Sequence, residues 1–167
     1  IGLLIVPVYD SMLDQQRTAP ASKEELLLQQ DEYDLESPVV IRKAQRVPAL
    51  VVLPKWRSGM RLTGLAHPVL NVQPQRLKAS LKKVTGDGTS ALVYADTPFT
   101  DFPYRSSDGT ELRATIYAAQ MFRSEACVPI IGREDAMLLA DCPLAGEAGA
   151  ESGRVLILSD PDLLNNH

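Results

Sequence analysis

The sequence predicts an α/β sandwich with an antiparallel excursion, on three observations. Fully apolar runs interleave with helix signals in the first half of the chain, which suits a covered, parallel-rich sheet. Short alternating segments with hairpin-like spacing crowd the second half. The length, 167 residues, is that of a single domain with one core.

Ile1 to Val8 is an apolar run of eight residues. It reads either as a buried strand or as the tail of a membrane helix, since a complete span needs about 20 residues. The start at Ile1 and the stop at His167, just past an apolar run, suggest a piece of a longer protein. Asp10 to Ala21 is polar and reads as a loop. Ser22 with Glu25 forms a capping-box signal for a helix from Lys23 to about Tyr33, stopped by Pro38. Val39 to Ile41 reads as a short strand. Ala49 to Leu53, bounded by Pro48 and Pro54, reads as a strand buried on both faces.

Leu77, Leu81 and Val84 fall at helical spacing between Gln75 and Val84, with Arg76, Lys78, Lys82 and Lys83 on the other faces. Gly86 to Gly88 ends that helix, and Ala91 to Ala95 follows as a strand. Thr97 to Ser107, with two prolines, reads as a loop. Leu112, Ala114, Ile116 and Ala118 alternate with polar residues and predict a half-buried strand. Val128–Ile131 and Ala136–Ala140 read as two further strands, and Arg154 to Leu158 as a fully apolar one. We find no internal repeat and no low-complexity tract.

With 45% hydrophobic and 23% charged residues, the composition is that of a folded protein. It excludes a disordered tail, a collagen-like repeat and a disulfide-dense miniprotein. The net charge of −4 excludes a general nucleic-acid binder. That sum conceals an asymmetry. Ser37 to Gly86 carries ten Lys/Arg and no acid, which leaves −14 on the remainder. A functional basic face toward an anionic partner and a helix kept wet by its lysines are both consistent with this.

Cys127 and Cys142 are equidistant from the Glu134–Asp135 step, which lies in the only polar break between two apolar runs. A hairpin centred there sets the two cysteines opposite one another, within reach of a disulfide after local adjustment. The alternative is two reduced thiols. A disulfide would imply an oxidising compartment.

Nucleophilic catalysis finds no support: there is no Gly-x-Ser-x-Gly, and neither cysteine sits on a glycine-flanked turn. Close metal-ligand spacings and glycine-rich phosphate loops are also lacking in the sequence, so no metal and no cofactor is expected. The best candidate site is Ser159-Asp160-Pro161-Asp162 with Asn165, past the carboxyl end of an apolar strand, where open α/β sheets bind ligands. Asp160 reads there as a pocket-edge residue or as the cap of a helix begun by Pro161. Asp96, after the strand Ala91 to Ala95, poses the same choice. His67 precedes Pro68 in a loop.

The segment from Gly153 to Asn166 resembles the closing strand and turn of the bacterial "domain of unknown function 4350" family. Leu50-Val51-Val52-Leu53-Pro54-Lys55 is similar to that family's central strand. The family resembles the gliding-motility-type auxiliary components of ABC transporters, and the wider class I glutamine amidotransferase-like fold. The resemblance implies a flavodoxin-like sandwich with a mostly parallel sheet, tethered by membrane helices at one or both ends. It also implies a non-catalytic role, with Asp160 and Asn165 shaping a pocket edge. The sequence departs from the family where Ser11 to Gln30 stands in place of the glycine-containing opening of the first helix. A Gly-Gly turn after the central strand is also missing.

The expected function is therefore a membrane-anchored, extracytoplasmic (periplasmic) domain that binds a membrane-protein partner or small ligand, and no nucleic acid. The alternative is a divergent hydrolase or transferase of the amidotransferase-like fold, working through Asp160, Asp96 and His67.

Overall fold

The computed structural model describes residues 4–7 (backbone), 47–56, 74–144 and 153–164. Among the described residues the strands are β1 (Leu4–Pro7), β2 (Ala49–Val52), β3 (Ala91–Tyr94), β4 (Phe99–Arg105), β5 (Glu111–Tyr117), β6 (Gln120–Arg123), β7 (Val128–Arg133), β8 (Ala136–Pro143) and β9 (Arg154–Leu158). Helix α1 spans Pro74–Thr85, and a single 3-10 turn spans Pro161–Leu164. The expected helix at Lys23–Tyr33, the strand at Val39–Ile41, His67 and Asn165 lie outside the described residues.

The described residues form a mixed α/β arrangement, rich in strands and with few helices among them. A seven-stranded sheet has the order β1-β2-β9-β8-β6-β3, with β7 also paired to β8. Pairing is parallel across β1, β2 and β9. It is antiparallel between β9 and β8, β8 and β6, β8 and β7, and β6 and β3. The expectation of a mostly parallel sheet is thus corrected: among the described residues the sheet is mixed, with three strands in parallel pairing. The cause is connection length. Parallel neighbours need a crossover of about a dozen residues or more, and from β3 onward the short joints permit only antiparallel returns.

The residues of the sheet divide between two layers. Ala49, Val51 and Leu53 of the β2 segment, Val155 and Ile157 of β9, Phe122 of β6 and Met137 of β8 pack with Leu81 and Val84 of α1. Leu77, one turn before Leu81, is also fully buried. This is the helical spacing read from the sequence. On the other face Val52, Met121, Leu138 and Leu158 meet Phe102 and Ile116, the inward residues of a separate β4–β5 hairpin. The strand at β2 is buried from both sides, as its unbroken apolar run requires.

Strand β4 replaces an expected loop. Phe102 and Tyr104 turn inward, while Asp101, Pro103 and Arg105 are exposed. Pro103 is compatible with a strand because β4 pairs on one side only, with β5, and no neighbour requires its missing N–H. Asp101 accepts bonds from Thr115 (2.7 Å) and Arg113 (3.1 Å) across the hairpin's outer face, and the Phe99 and Tyr117 rings pack in a tilted arrangement with centroids 5.4 Å apart. Ala118, at φ 46°, then swings the chain from this layer back into the sheet. Its N–H donates to Pro98 O (2.7 Å), which helps to hold a conformation that costs a non-glycine residue about 1 kcal/mol.

The β7–β8 hairpin turns at Glu134–Asp135, and its register runs from Arg133↔Ala136 to Val128↔Asp141. Register shifts interrupt it near Ile131, and the alternation of β8 breaks there too. Met137 and Ala140 face α1, whereas Leu138 and Leu139 face the hairpin layer. Gly132 sits at this irregularity with φ 104°, and a Cβ there would lie 2.5 Å from Ala136 O. Gly132→Ala should therefore destabilise the fold by about 2 kcal/mol. Gly88→Ala, in open space, should change stability by less than about 0.5 kcal/mol in the same urea titration.

Candidate functional site

Strands β2 and β9 are adjacent and parallel, so the residues just past their carboxyl ends emerge side by side. Leu53 continues the ladder by donating to Leu158 O (2.9 Å). Beyond it the first strand delivers Lys55, and the second delivers Ser159 and Asp160. Lys55 is completely buried, as is Asp160. The Lys55 ammonium lies 2.9 Å from Asp160 Oδ2 and 2.7 Å from Asp162 Oδ2, and it donates to Tyr117 O at 2.6 Å. Its three donors thus face three oxygens. The Trp56 ring lies alongside, with its centroid 5.0 Å from Nζ.

Asp160 is equally committed. Oδ2 accepts from Gln120 N (2.9 Å) as well as facing Lys55, and Oδ1 accepts from Asp162 N (3.0 Å). The last bond is the capping geometry read from the sequence, with Pro161 as the first residue of the turn. Burial pushes the Asp160 carboxyl above the ordinary aspartate value. The Lys55 charge and the donated hydrogen bonds pull it back without cancelling the effect.

Gln120 completes the joint. Its carboxamide Nε2 donates to Ser159 O (2.6 Å) and to Pro54 O (3.1 Å), joining the start of β6 to the ends of β9 and β2. The Ser159 hydroxyl returns the connection by donating to Gln120 O at 2.8 Å. Lys55, Gln120, Ser159 and Asp160 therefore form a buried polar knot to which β2, β5, β6 and β9 all contribute. Such a knot orients strand ends. Buried and engaged inside the protein, neither the Lys55 nitrogen nor the Asp160 carboxylate is presented to a ligand.

Asp96 lies elsewhere, exposed in the bend after β3. Asp160, by contrast, is completely buried. Lys55 and Gln120 were missed by sequence reasoning. Lys55 follows β2 by three residues but stands in a stretch of ten Lys/Arg without an acid, so no local signal separates it from its solvated neighbours. Gln120 carried no signal either, since β6 has only four residues and no visible period.

A second polar cluster sits between α1 and β3. Gly86 (φ 68°) ends the helix in the left-handed conformation common at helix ends. Asp87 then accepts from Thr89 N and Thr89 Oγ1 (both 2.7 Å) and reaches across to the β6–β7 turn, accepting from Glu125 N (3.0 Å) and Ser124 Oγ. The Ser124 and Thr89 hydroxyls hold its carboxyl well below the usual aspartate value. Beside it opens a cleft of about 540 Å³, lined by Thr89, Arg123, Glu125, Cys127 and Glu134 among others. Cys127 is bonded to Cys142, with the Cα atoms 4.3 Å apart. The pair extends the Val128↔Asp141 register by one step, so the disulfide closes the open end of the β7–β8 hairpin. Among the described residues, no group of His, Cys, Asp and Glu side chains is arranged to hold a metal ion.

Removing one member of the buried pair leaves the other charged and dry. Lys55→Met or Asp160→Leu alone should cost about 3–5 kcal/mol of unfolding free energy, while the double substitution should cost much less than the sum. Urea denaturation of the four proteins in the cycle measures this coupling. The Asp87 linkage has the opposite sign to a raised group. A depressed folded pKa contributes stability that is present above the ordinary value of 3.8 and is lost as pH falls below it. Asp87→Asn should therefore flatten the acid limb of the stability–pH curve below about pH 4, as thermal melts across that range would show. No protein-family model matches this chain, and neither a curated protein nor a solved structure matches it.

Proposed function

We propose that this is a non-catalytic, ligand- or partner-binding domain of a membrane-anchored envelope or transporter-associated protein, facing an oxidising extracytoplasmic space. The observation that carries the reading is the Cys127–Cys142 disulfide. Structural disulfides persist in secreted and periplasmic proteins and are rare in the reducing cytosol. The non-catalytic half is supported by the polar knot. The carboxylate best placed for chemistry, Asp160, is spent on Lys55, Gln120 and Asp162. General acid–base work requires a group within hydrogen-bond reach of a substrate proton.

The finer fold assignment belongs to the same proposal. A flavodoxin-like, class I glutamine amidotransferase-like core is supported by the three parallel strands, with α1 on one face and the candidate residues past their carboxyl ends. The resemblance to the "domain of unknown function 4350" family supplies the membrane tether. Among the described residues no helix is long and apolar enough to cross a bilayer, so the tether is assigned to flanking segments. The ~540 Å³ cleft between the Asp87 loop and the disulfide is within the size range of small-ligand sites, and we assign ligand contact there in preference to the closed Asp160 knot.

The test uses the parent protein in its own cells. Thiols are trapped by alkylation at lysis, and membrane and soluble fractions are compared. The expected result is a membrane-bound protein with Cys127 and Cys142 protected from alkylation until reduced. A soluble protein with both thiols freely alkylated would overturn the reading.

A further inference from the structure

We infer that the outer face of α1 is a docking surface for an anionic phospholipid bilayer. The helix carries Arg76, Lys78, Lys82 and Lys83 and no acidic residue, and it lies within the acid-free stretch Ser37 to Gly86. Its apolar residues are already occupied: Leu77, Leu81 and Val84 are buried, with Leu81 and Val84 in the core beneath the helix. Lys78 is exposed and Lys82 half-buried. Among the described side chains of the helix the apolar ones are all buried, so the interaction they leave to it is electrostatic adsorption at headgroup level.

Charge complementarity selects the occupant. The helix itself holds four cations and no acid in a chain of net −4, so it attracts an anionic surface that an acidic remainder repels. The residue types select further. Protein interfaces are anchored by aromatic and arginine side chains and are depleted in lysine. Here three of the four cations are lysines, and the helix contains no aromatic residue. That also removes the stacking platform on which single-stranded nucleic acid is held. Lysines are compact point charges that require no bidentate partner, which suits a diffuse layer of phosphates. A helix of 12 residues extends about 18 Å along such a layer.

The inference extends the proposed function by stating which face of the domain meets the membrane. It does not depend on the tether, because the test uses the 167-residue chain by itself. The chain is sedimented with vesicles of phosphatidylcholine alone, or of phosphatidylcholine with phosphatidylglycerol, at low and at high salt. The expected result is binding only to the anionic vesicles, abolished by high salt. Lys78→Gln with Lys82→Gln should weaken it roughly 30-fold, at about 1 kcal/mol per lysine near an anionic surface. Arg105→Gln with Arg133→Gln makes the same change in net charge at exposed positions outside the helix and should leave binding nearly unchanged. Equal binding to both vesicle types, or equal losses in the two double variants, would overturn the inference. So would absence of vesicle binding, or retention by immobilised polyglutamate alone, the latter favouring an acidic protein. A negative result here leaves the membrane-anchored reading standing, since anchoring is measured separately in cells.

Discussion

The architecture depends on one buried ion pair, Lys55 with Asp160. Taking two charges out of water costs several kcal/mol per ion, and only close geometry with every remaining donor and acceptor bonded offsets it. The described structure meets that demand by convergence. Lys55 arrives from the end of β2, Asp160 from the end of β9, the amide of Gln120 from the start of β6, and the carbonyl of Tyr117 from the end of β5. Correct pairing of β2 with β9 is a condition of the pair, and so is correct return of the β4–β5 layer to the main sheet. A shift in any of these would leave a charge dry. The pair contributes less to net stability than it does to selecting one arrangement of strands.

Around that point the chain repeats the device of a single polar group crossing between elements. Asp87 joins the loop after α1 to the β6–β7 turn through Ser124 and Glu125. The disulfide joins that same region to the end of β8. Together they brace the cleft from two sides, whereas apolar packing defines the two layers that enclose the sheet. The division is physical: apolar contacts are non-directional and set the layering, while directional bonds set the register and the orientation of the loops.

Much of the secondary structure was legible. The apolar run at Ala49–Leu53, the spacing of Leu77, Leu81 and Val84, and the alternation from Leu112 to Ala118 each led to the observed element. The cysteine symmetry about Glu134–Asp135 led to the observed hairpin turn. Strand β4 was obscured by Pro103, because a proline argues against a strand unless that strand is known to have a free edge, and edges are a property of the assembled sheet. Strand β6 was obscured by its length. For the candidate site, Asp160 and its capping role were readable from Pro161. Lys55 looked like one more member of a basic stretch, and nothing local distinguished it.

What the sequence determined by itself was therefore the local order: which runs are apolar, where helices and turns begin, and how positive and negative charge divide along the chain. Those features depend on neighbours within a few residues, so they survive without knowledge of the fold. Tertiary structure alone decided that three strands run parallel and the others do not. It also decided that Lys55 is buried rather than solvated, and that Asp160 faces inward as a structural counter-ion instead of outward to a ligand. Both choices depend on the 104 residues between the two partners being folded back on one sheet, so that an acid and a base without local connection come within 2.9 Å.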